Sequence, residues 1–283
     1  MEKISSPKIA RQILDKYSLS PLKKFGQNFL IDENVLNRIA NAVNCRNGFV
    51  MEVGAGLGAL TVKLAESAKE VLSYEIDNGL YSALQETLDG ICNVTIKNED
   101  ILRADLKKDT AEAFGSDPFA IAANLPYYIT SPCIMRFLEE SVNFNVMVFM
   151  VQKEVARRLC APAGGDEYGA ITAAVGFFTE PRILFDVSRN CFFPKPDVDS
   201  TVIKLSRIDF DEGLKSEYLR FVKGLFHMRR KTVYNNLTMG MGYSKANAEK
   251  LLGSAGIAAG SRAETLGKDD FLRLAKAAKA MDI

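Results

Sequence analysis

The chain has 283 residues, of which 47% are hydrophobic and 25% are charged, which is enough for a packed core and more than one domain. Its net charge of +1 argues weakly against a strongly basic nucleic-acid-binding protein, although a small sum can hide local patches. The five cysteines have no CxxC spacing, and the single histidine, His227, excludes sites built from several histidines.

No stretch of the sequence is typical of a membrane span or a secretion signal. The longest uninterrupted apolar run, 146–151, has six residues, whereas a transmembrane helix requires about 20. Residues 1–20 form a polar N-terminal extension without an apolar signal core. We therefore expect a cytoplasmic protein with reduced cysteines and no bound metal, and a monomer by default.

Short apolar strands alternate with helices through the first half of the chain. Residues 33–44 have helical spacing of apolar residues, Asp32 is the predicted N-cap, and a buried strand follows at 49–53. The alternation continues with predicted helices over 59–67, 79–88 and 132–140, and predicted strands over 70–76, 93–100, 119–125 and 145–151. This order predicts an α/β fold, with a mostly parallel Rossmann-like sheet and helices on both faces.

The pattern changes near residue 209. Before it we predict a helix over 153–160, a strand over 170–187 and a closing strand over 201–208. After a linker at 209–213 the pattern is helical only. The sequence therefore predicts an α/β domain over 1–208 and a small all-α domain over 209–283.

A glycine-rich loop follows the first predicted strand, and acidic residues end the next two. Gly54, Gly56 and Gly58 allow a tight turn and the close approach of a ligand, and the helix behind them offers free N–H groups. Glu75 could accept hydrogen bonds from ribose hydroxyls, and Asp100 could meet an adenine edge, because the ends of adjacent parallel strands converge. The glycine spacing leaves both a dinucleotide and S-adenosylmethionine open as ligands.

The segment Asn124-Leu125-Pro126-Tyr127 comes directly after an apolar strand. Asn124 offers a side-chain acceptor, Pro126 fixes a turn that exposes the carbonyl of Leu125, and Tyr127 offers an aromatic face. These groups suit a planar exocyclic amine that must be stacked and hydrogen-bonded. A simple cap at the end of a strand would use the same residue types.

Seven segments, taken together and in order, resemble the ribosomal RNA adenine dimethyltransferase family. They are FGQNFL (25–30), MEVGAGLG (51–58), YEID (74–77), NEDIL (98–102), NLPYYITSP (124–132), QKEVARRL (152–159) and FFPKPDVDS (192–200). Each motif is weak alone, but the combination is highly specific and the likeness extends over about 24–237. The resemblance implies S-adenosylmethionine as cofactor and dimethylation of N6 on two adjacent adenosines near the 3′ end of small-subunit ribosomal RNA, linked to subunit biogenesis.

The resemblance also implies roles for individual residues. Those that would bind the cofactor are Asn28, Leu30, Gly54, Gly56, Glu75, Ile76, Asp100, Ile101 and Asn124. Those that would act on the target are Asn124, Leu125, Pro126, Tyr127 and Phe192, with Phe192 stacking on the adenine opposite Tyr127. Whether Phe192 or Phe193 stacks is left open. Ala55 replaces a frequent proline and Tyr128 a frequent asparagine, and Tyr128 could alter the target pocket.

Two groups of basic residues are candidates for binding RNA phosphates. They are Lys153, Arg157 and Arg158 on the helix over 153–160, and Arg220, Lys223, Arg229, Arg230 and Lys231 on one predicted helix of the C-terminal domain. A solvated charged surface is the alternative interpretation. The expected partner is small-subunit ribosomal RNA within an immature ribosomal particle, which would make 1–208 the catalytic domain and 209–283 the RNA-binding domain.

Three other functions remain as alternatives. A large-subunit adenine methyltransferase of the macrolide-resistance type would share the cofactor domain, but the segment at 229–237, RRKTVYNNL, favours the small-subunit enzyme. A non-catalytic assembly or transcription factor on the same fold is disfavoured by the intact motif at 124–127. A nucleotide-dependent dehydrogenase would not explain that motif.

Overall fold

The computed structural model describes residues 4–19, 27–126, 128–140 and 142–282. The chain divides into two compact units, the first Met1–Ala156 with Arg182–Arg207 and the second Arg157–Pro181 with Ile208–Ile283. The last boundary between the units, after Arg207, lies beside the predicted linker at 209–213. The segment 157–181, which we expected within 1–208, groups instead with the C-terminal helices.

Strands of the described residues form two sheets. Their bounds are β1 Phe29–Leu30, β2 Phe49–Val53, β3 Glu70–Tyr74, β4 Val94–Lys97, β5 Phe119–Asn124, β6 Phe144–Gln152, β7 Thr179–Val187, β8 Phe192–Phe193 and β9 Ser200–Arg207. The larger sheet has the order β4-β3-β2-β5-β6-β9-β7, and β1 pairs with β8. Strands β2 to β6 pair in parallel, whereas β9 runs antiparallel to β6. The predicted mostly parallel sheet is confirmed.

The helices fill the connections between these strands and make up most of the second unit. Their bounds are α1 Pro7–Lys16, α2 Glu33–Val43, α3 Ala59–Ala65, α4 Asn78–Thr87, α5 Leu106–Phe114, α6 Thr130–Glu139, α7 Lys153–Leu159, α8 Ala170–Phe178, α9 Lys215–Leu225, α10 Val233–Asn235, α11 Lys245–Ala255 and α12 Lys268–Met281. The Asp32 side chain accepts a hydrogen bond from the backbone N–H of Val35 at 3.1 Å, which confirms the predicted N-cap of α2. In the part of the chain that the structure describes, no helix is long and apolar enough to cross a membrane.

Helices cover both faces of the large sheet. Apolar side chains of α2 and α3 form one buried cluster with inward-facing residues of the strands, among them Leu36, Ile39, Leu64, Val50 and Val148. On the opposite face the ring of Phe114, in α5, lies 5.1 Å from the rings of Phe49 and Phe119. Because successive side chains of a strand point to opposite faces, strands covered on both sides read as continuous apolar runs.

The predicted strand over 170–187 is wrong in its first half. Residues Ala170–Phe178 form helix α8, and only Thr179–Val187 is a strand. The run ITAAVGFF has Thr172 as its one polar side chain, so its periodicity does not distinguish a buried helix from a buried strand. The Thr172 hydroxyl accepts a hydrogen bond from the Gly169 N–H at 3.2 Å and donates one to the Arg158 carbonyl at 2.6 Å, and both bonds stabilise the helix start.

The second unit has an aromatic core. The ring of Tyr218, in α9, lies 4.3 Å from that of Phe177 and 5.7 Å from that of Phe271. The Tyr218 hydroxyl donates a hydrogen bond to the Ala173 carbonyl at 3.0 Å, so its polar atom is satisfied inside the core. Helices α8, α9 and α12 are thereby packed together.

The first unit also buries an acidic side chain. Glu52, in β2, is 1% exposed, and its Oε2 accepts hydrogen bonds from the hydroxyls of Thr61 at 2.6 Å and Ser73 at 2.8 Å. Its Oε1 is buried without a hydrogen-bond partner. Burial is the main cause that raises the pKa of Glu52 to about 7, and the two hydroxyls oppose that rise.

We expect Glu52 to make folding stability fall as the pH rises from its usual pKa of 4.5 towards about 7. In that window the folded chain binds more protons than the unfolded chain, so the free energy of unfolding should decrease by up to about 3 kcal/mol. Glu52→Gln keeps the acceptor oxygen and cannot ionise, so its stability should lack this decrease. Urea unfolding of both proteins at pH 5 and pH 8 measures the difference. Parallel pH profiles would contradict the prediction.

Candidate active site

One cleft at the carboxyl ends of the parallel strands brings together most of the predicted site residues. It holds about 990 Å³, with the solvent at its mouth included, which is within the usual range for ligand pockets. The predicted residues that line it are Asn28, Gly54, Gly56, Glu75, Ile76, Asp100, Ile101, Asn124, Leu125, Pro126 and Phe192. Leu30 lines a smaller adjoining cavity instead, and Tyr127 lies outside the described residues.

The glycine loop forms one wall of the cleft. Gly54 and Gly56 have φ values of +77° and +60°, in the left-handed region that favours glycine. A Cβ on Gly56 would also lie 3.3 Å from the Phe29 ring. The loop therefore brings backbone, rather than side chains, to the surface of the cleft.

Glu75 is held by backbone N–H groups from two sides. Its Oε2 accepts a hydrogen bond from Gly56 at 2.8 Å, and its Oε1 accepts one from Asp77 at 2.9 Å. The side chain is 5% exposed, and burial raises its pKa while these two backbone bonds oppose the rise. A carboxylate has about four acceptor positions, so Glu75 keeps acceptor capacity for a ribose hydroxyl.

Asp100 begins a turn that forms the next wall. Its Oδ1 accepts a hydrogen bond from the Leu102 N–H at 2.9 Å, and its carbonyl accepts bonds from Arg103 at 2.8 Å and Ala104 at 3.0 Å. The neighbouring Ile101 is buried beside the cleft. Across from the turn Ile76 is 42% exposed, so an apolar face and a carboxylate are available to a purine. Together with Glu75 these residues fit the nucleoside part of S-adenosylmethionine.

The amide of Asn124 is oriented by a distant segment. Its Nδ2 donates a hydrogen bond to the backbone carbonyl of Asn28 at 3.1 Å, which leaves Oδ1 as the polar atom available to the cleft. The following turn is closed on the Pro126 carbonyl, which accepts bonds from the Ile129 N–H at 3.1 Å and the Thr130 hydroxyl at 3.3 Å. Asn124 and the turn after it can therefore present acceptors to an amine.

The small sheet of β1 and β8 distinguishes the two candidate phenylalanines. Leu30 pairs with Phe192, and Phe29 pairs with Phe193. Phe192 is buried and lines the cleft. Phe193 packs with the α1 side of the molecule, where the Arg11 guanidinium lies 5.0 Å from its ring centre. Of these two rings, Phe192 is the one at the cleft.

Several cleft residues were missed by the sequence analysis: Gln27, Phe29, Glu99, Leu102 and Ile129. Four of them adjoin predicted residues in the chain and Ile129 lies two positions after Tyr127, so nearness in sequence is the signal that could have found them. Gln27 is anchored by a hydrogen bond from its Nε2 to Asp77 Oδ2 at 3.0 Å. Tyr128, noted as a departure from the family, also lines the cleft and is 55% exposed. Burial, and then the charges of Asp100 and Glu75, raise the pKa of Tyr128.

The predicted basic residues differ in their surroundings. Lys153 pairs with Asp186 at 2.5 Å, and Arg220 pairs with Glu217 at 2.6 Å and with the Tyr243 hydroxyl at the same distance. The side chains exposed on the surface are those of Arg157, Arg158, Lys223, Arg229, Arg230 and Lys231. Existing partners compete with RNA at Lys153 and Arg220.

The prediction that one helix carries the whole second basic group is wrong. Helix α9 ends at Leu225, residues 226–230 form turns, and α10 begins at Val233. The buried side chain of Asn236 stabilises the turn that follows α9, because it forms hydrogen bonds with the backbone there. Its Oδ1 accepts from the Met228 N–H at 3.1 Å, and its Nδ2 lies 3.3 Å, 3.4 Å and 3.2 Å from the carbonyls of Met228, Lys231 and Thr232. Arg229, Arg230 and Lys231 therefore lie on an organised loop, which we call the basic loop (228–232).

Within the described ranges, no group of three or more histidine, cysteine, aspartate or glutamate side chains could hold a metal ion. The groups that the cleft offers are backbone N–H groups, carbonyls, aromatic rings and the three carboxylates of Glu75, Glu99 and Asp100. This arrangement can bind a nucleoside and orient a second base.

Comparison with known proteins agrees with this geometry. The family described as ribosomal RNA adenine dimethylase matches residues 19–280. A curated relative from Alkaliphilus oremlandii, ribosomal RNA small subunit methyltransferase A, is 42% identical over 96% of each chain. Its namesake from Enterococcus faecalis is 40% identical over 98% of this chain and 96% of that protein.

Solved structures of two similar proteins extend the comparison. A dimethyladenosine transferase from Plasmodium falciparum superposes with a TM-score of 0.76 at 25% identity, covering 89% of this chain and 98% of that one. The 23S rRNA methyltransferase ErmE superposes with a TM-score of 0.67 at 29% identity, covering 88% and 99%. The chain therefore belongs to the ribosomal RNA adenine dimethylase family, whose members transfer methyl groups from S-adenosylmethionine to adenines of ribosomal RNA.

Proposed function

We propose that this enzyme dimethylates N6 of two adjacent adenosines near the 3′ end of small-subunit ribosomal RNA, within an immature ribosomal particle. The observation that carries this proposal is the orientation of Asn124, whose amide nitrogen is bonded to Asn28 so that its oxygen is left for the target amine. The small-subunit substrate is supported by the relatives that are about 40% identical over nearly the whole chain and carry that name.

The amine of adenine is a poor nucleophile because its lone pair is delocalised into the ring. In the first transfer the side-chain carbonyl of Asn124 and the backbone carbonyl of Leu125 would accept hydrogen bonds from its two N–H groups and draw the nitrogen towards a tetrahedral shape. That change localises the lone pair on N6. In the second transfer the one remaining N–H group would donate to one of these carbonyls. Holding the amine in this geometry supplies most of the catalysis, aided by carbonyl dipoles directed at the charge that develops on N6.

The proposed cofactor-binding residues form two sets, one for the nucleoside and one for the methionine part of the cofactor. S-adenosylmethionine, when bound, supplies the methyl group as an activated sulfonium. Glu75 would bind the ribose hydroxyls and Asp100 the adenine amine, with Ile76 and Ile101 against the adenine ring. The backbone of Gly54 and Gly56 would line the methionine part, bordered by Asn28 and, behind it, Leu30.

Aromatic side chains would hold the target base. A base must leave its stack to reach an enclosed cleft, and Phe192 at the cleft wall offers a ring on which it can stack. Tyr127 would stand opposite Phe192, as the family resemblance implies. Pro126 would fix the turn between the stacking and the hydrogen-bonding groups.

We infer that residues 1–208 act as the catalytic domain and 209–283 as the RNA-binding domain, with the basic loop as its main contact. Residues 226–241 contain three consecutive cations and no acidic residue, and such a segment suits phosphate contacts. Arg157, Arg158 and Lys223 would add to this surface. The proposed substrate implies action in the cytoplasm. A monomer would suffice, because one chain supplies all the cleft residues described above.

The first experiment identifies the substrate. We expect labelled methyl transfer from S-adenosylmethionine to unmethylated small ribosomal subunits, with N6,N6-dimethyladenosine as the product in nucleoside analysis. Large subunits serve as the control substrate. Transfer to large-subunit RNA alone would favour the macrolide-resistance type. Transfer to neither, with the cofactor still bound, would indicate an RNA-binding factor that has kept the fold.

Asn124→Ala should lower kcat by about 100-fold or more, the effect of removing one preorganised polar group from an active site. Binding of S-adenosylhomocysteine, measured by calorimetry, should be largely preserved. Asn93→Ala is a matched control, because Asn93 also donates its amide to backbone carbonyls, those of Ala65 and Ala68, both at 3.0 Å, and does not line the cleft. An active Asn124→Ala enzyme would refute the role of Asn124.

Replacing Arg229, Arg230 and Lys231 together by alanine should weaken binding to small subunits and flatten its salt dependence. The slope of log affinity against log salt concentration should decrease by about one for each lost phosphate contact. A control with Lys245, Lys250 and Lys276 replaced by alanine removes the same charge from exposed positions of α11 and α12. Equal changes in slope for both triple variants would mean that total charge, rather than the basic loop, determines binding.

A further inference from the structure

We propose that Arg136 is a positioning residue for the cofactor, which holds the Asp100–Ala104 turn in the shape that binds the adenine end of S-adenosylmethionine. The inference rests on the assignment of Asp100 and Ile101 to the cofactor made under the proposed function. Arg136 itself does not line the cleft.

All three nitrogens of the Arg136 guanidinium have acceptors. Nη1 donates to the Ile101 carbonyl and Nη2 to the Ala104 carbonyl. Nε donates to the Glu140 carboxylate at 2.6 Å. The side chain is 17% exposed. Because the guanidinium is a rigid planar fork, these bonds fix the two carbonyls relative to each other and to helix α6.

The Asp100–Ala104 turn depends on such a donor because it belongs to no sheet or helix. Ile101 and Ala104 are buried, and a buried carbonyl without a donor destabilises its local conformation. The Ala104 carbonyl also accepts a bond from the Leu106 N–H at 3.0 Å. Arg136 therefore matters most at Ile101, whose side chain lines the cleft next to Asp100.

Helix α6 connects this turn to the catalytic motif. At its start the Thr130 hydroxyl donates to the Pro126 carbonyl at 3.3 Å, and further along the helix Arg136 holds the Asp100–Ala104 turn. The contacts at the two ends of the helix are separate. Loss of the guanidinium should therefore loosen the adenine wall while the Asn124 side of the cleft keeps its bonds.

The test compares Arg136→Met with Arg136→Lys and with a matched control, Arg207→Met. Arg207 also donates from Nη1 to two backbone carbonyls, those of Val142 at 2.8 Å and Phe144 at 3.4 Å, and it does not line the cleft. We expect Arg136→Met to raise the Kd of S-adenosylhomocysteine about tenfold, the scale of one or two lost hydrogen bonds. Arg136→Lys should restore part of the affinity, and Arg207→Met should leave Kd unchanged.

Kinetics separate positioning from general loss of structure. In Arg136→Met the KM for S-adenosylmethionine should rise by the same factor as the Kd, whereas kcat on small subunits should stay close to that of the parent enzyme. A fall in kcat without a change in KM would overturn the inference. If Arg136→Met does not fold, Arg136→Lys carries the same comparison.

A double variant completes the experiment. If Arg136 acts through the turn, the losses of S-adenosylhomocysteine affinity from Asp100→Ala and Arg136→Met should be less than additive in the double variant. Strictly additive losses would overturn the inference, as would a wild-type Kd in Arg136→Met when Asp100→Ala is weakened. A wild-type Kd in Asp100→Ala would instead refute the assignment of the turn to the cofactor, and with it the inference.

Discussion

The hydrogen bond from Asn124 to the Asn28 carbonyl is the interaction on which the site depends. An asparagine amide carries an acceptor oxygen and a donor nitrogen at nearly equivalent positions. Rotation of the amide by 180° therefore exchanges acceptor and donor. Bonding Nδ2 to a backbone carbonyl determines which end faces the cleft. The carbonyl is itself held in place because the next residues, Phe29 and Leu30, pair with β8. The pairing of β1 with β8 therefore helps to set the orientation of the Asn124 amide at the end of β5.

The two buried carboxylates near the glycine loop, Glu52 and Glu75, differ in the groups that bond to them. Glu52 is bonded by hydroxyl groups within the core, and burial raises its pKa to about 7. Glu75 is almost as buried, but it lies at the end of its strand and receives two backbone N–H groups. Those groups oppose the effect of burial on its pKa, and Glu75 lines the cleft, where we propose that it binds the ribose.

Much of the fold and the cleft could be predicted from the sequence because their signals are local. Buried parallel strands read as apolar runs, and Gly54, Glu75 and Asn124 each follow such a run directly, whereas Asp100 lies three residues after the partly buried strand β4. The parallel sheet then brings them to one edge. The sequence predicts a strand in place of helix α8 because nearly every residue of the run is apolar, so the spacing of apolar residues does not indicate a helix. Neither the contact of Asn124 with Asn28 nor that of Arg136 with Ile101 leaves a local signal, because each joins segments far apart in the chain.

A near-neutral chain can still present a concentrated basic surface, because the net charge does not report how charged residues are distributed over the surface. Many cations have an acidic partner on the same helix or turn, as Arg136 has Glu140 and Arg273 has Asp270. Such pairs cancel in the net charge and contribute little to the field at a distance. The segment around Arg229 to Lys231 has no acidic residue within 226–241, and the bonds of Asn236 hold its backbone in a turn. Local composition and one buried amide can therefore produce a phosphate-binding surface that the total charge of the protein does not reveal.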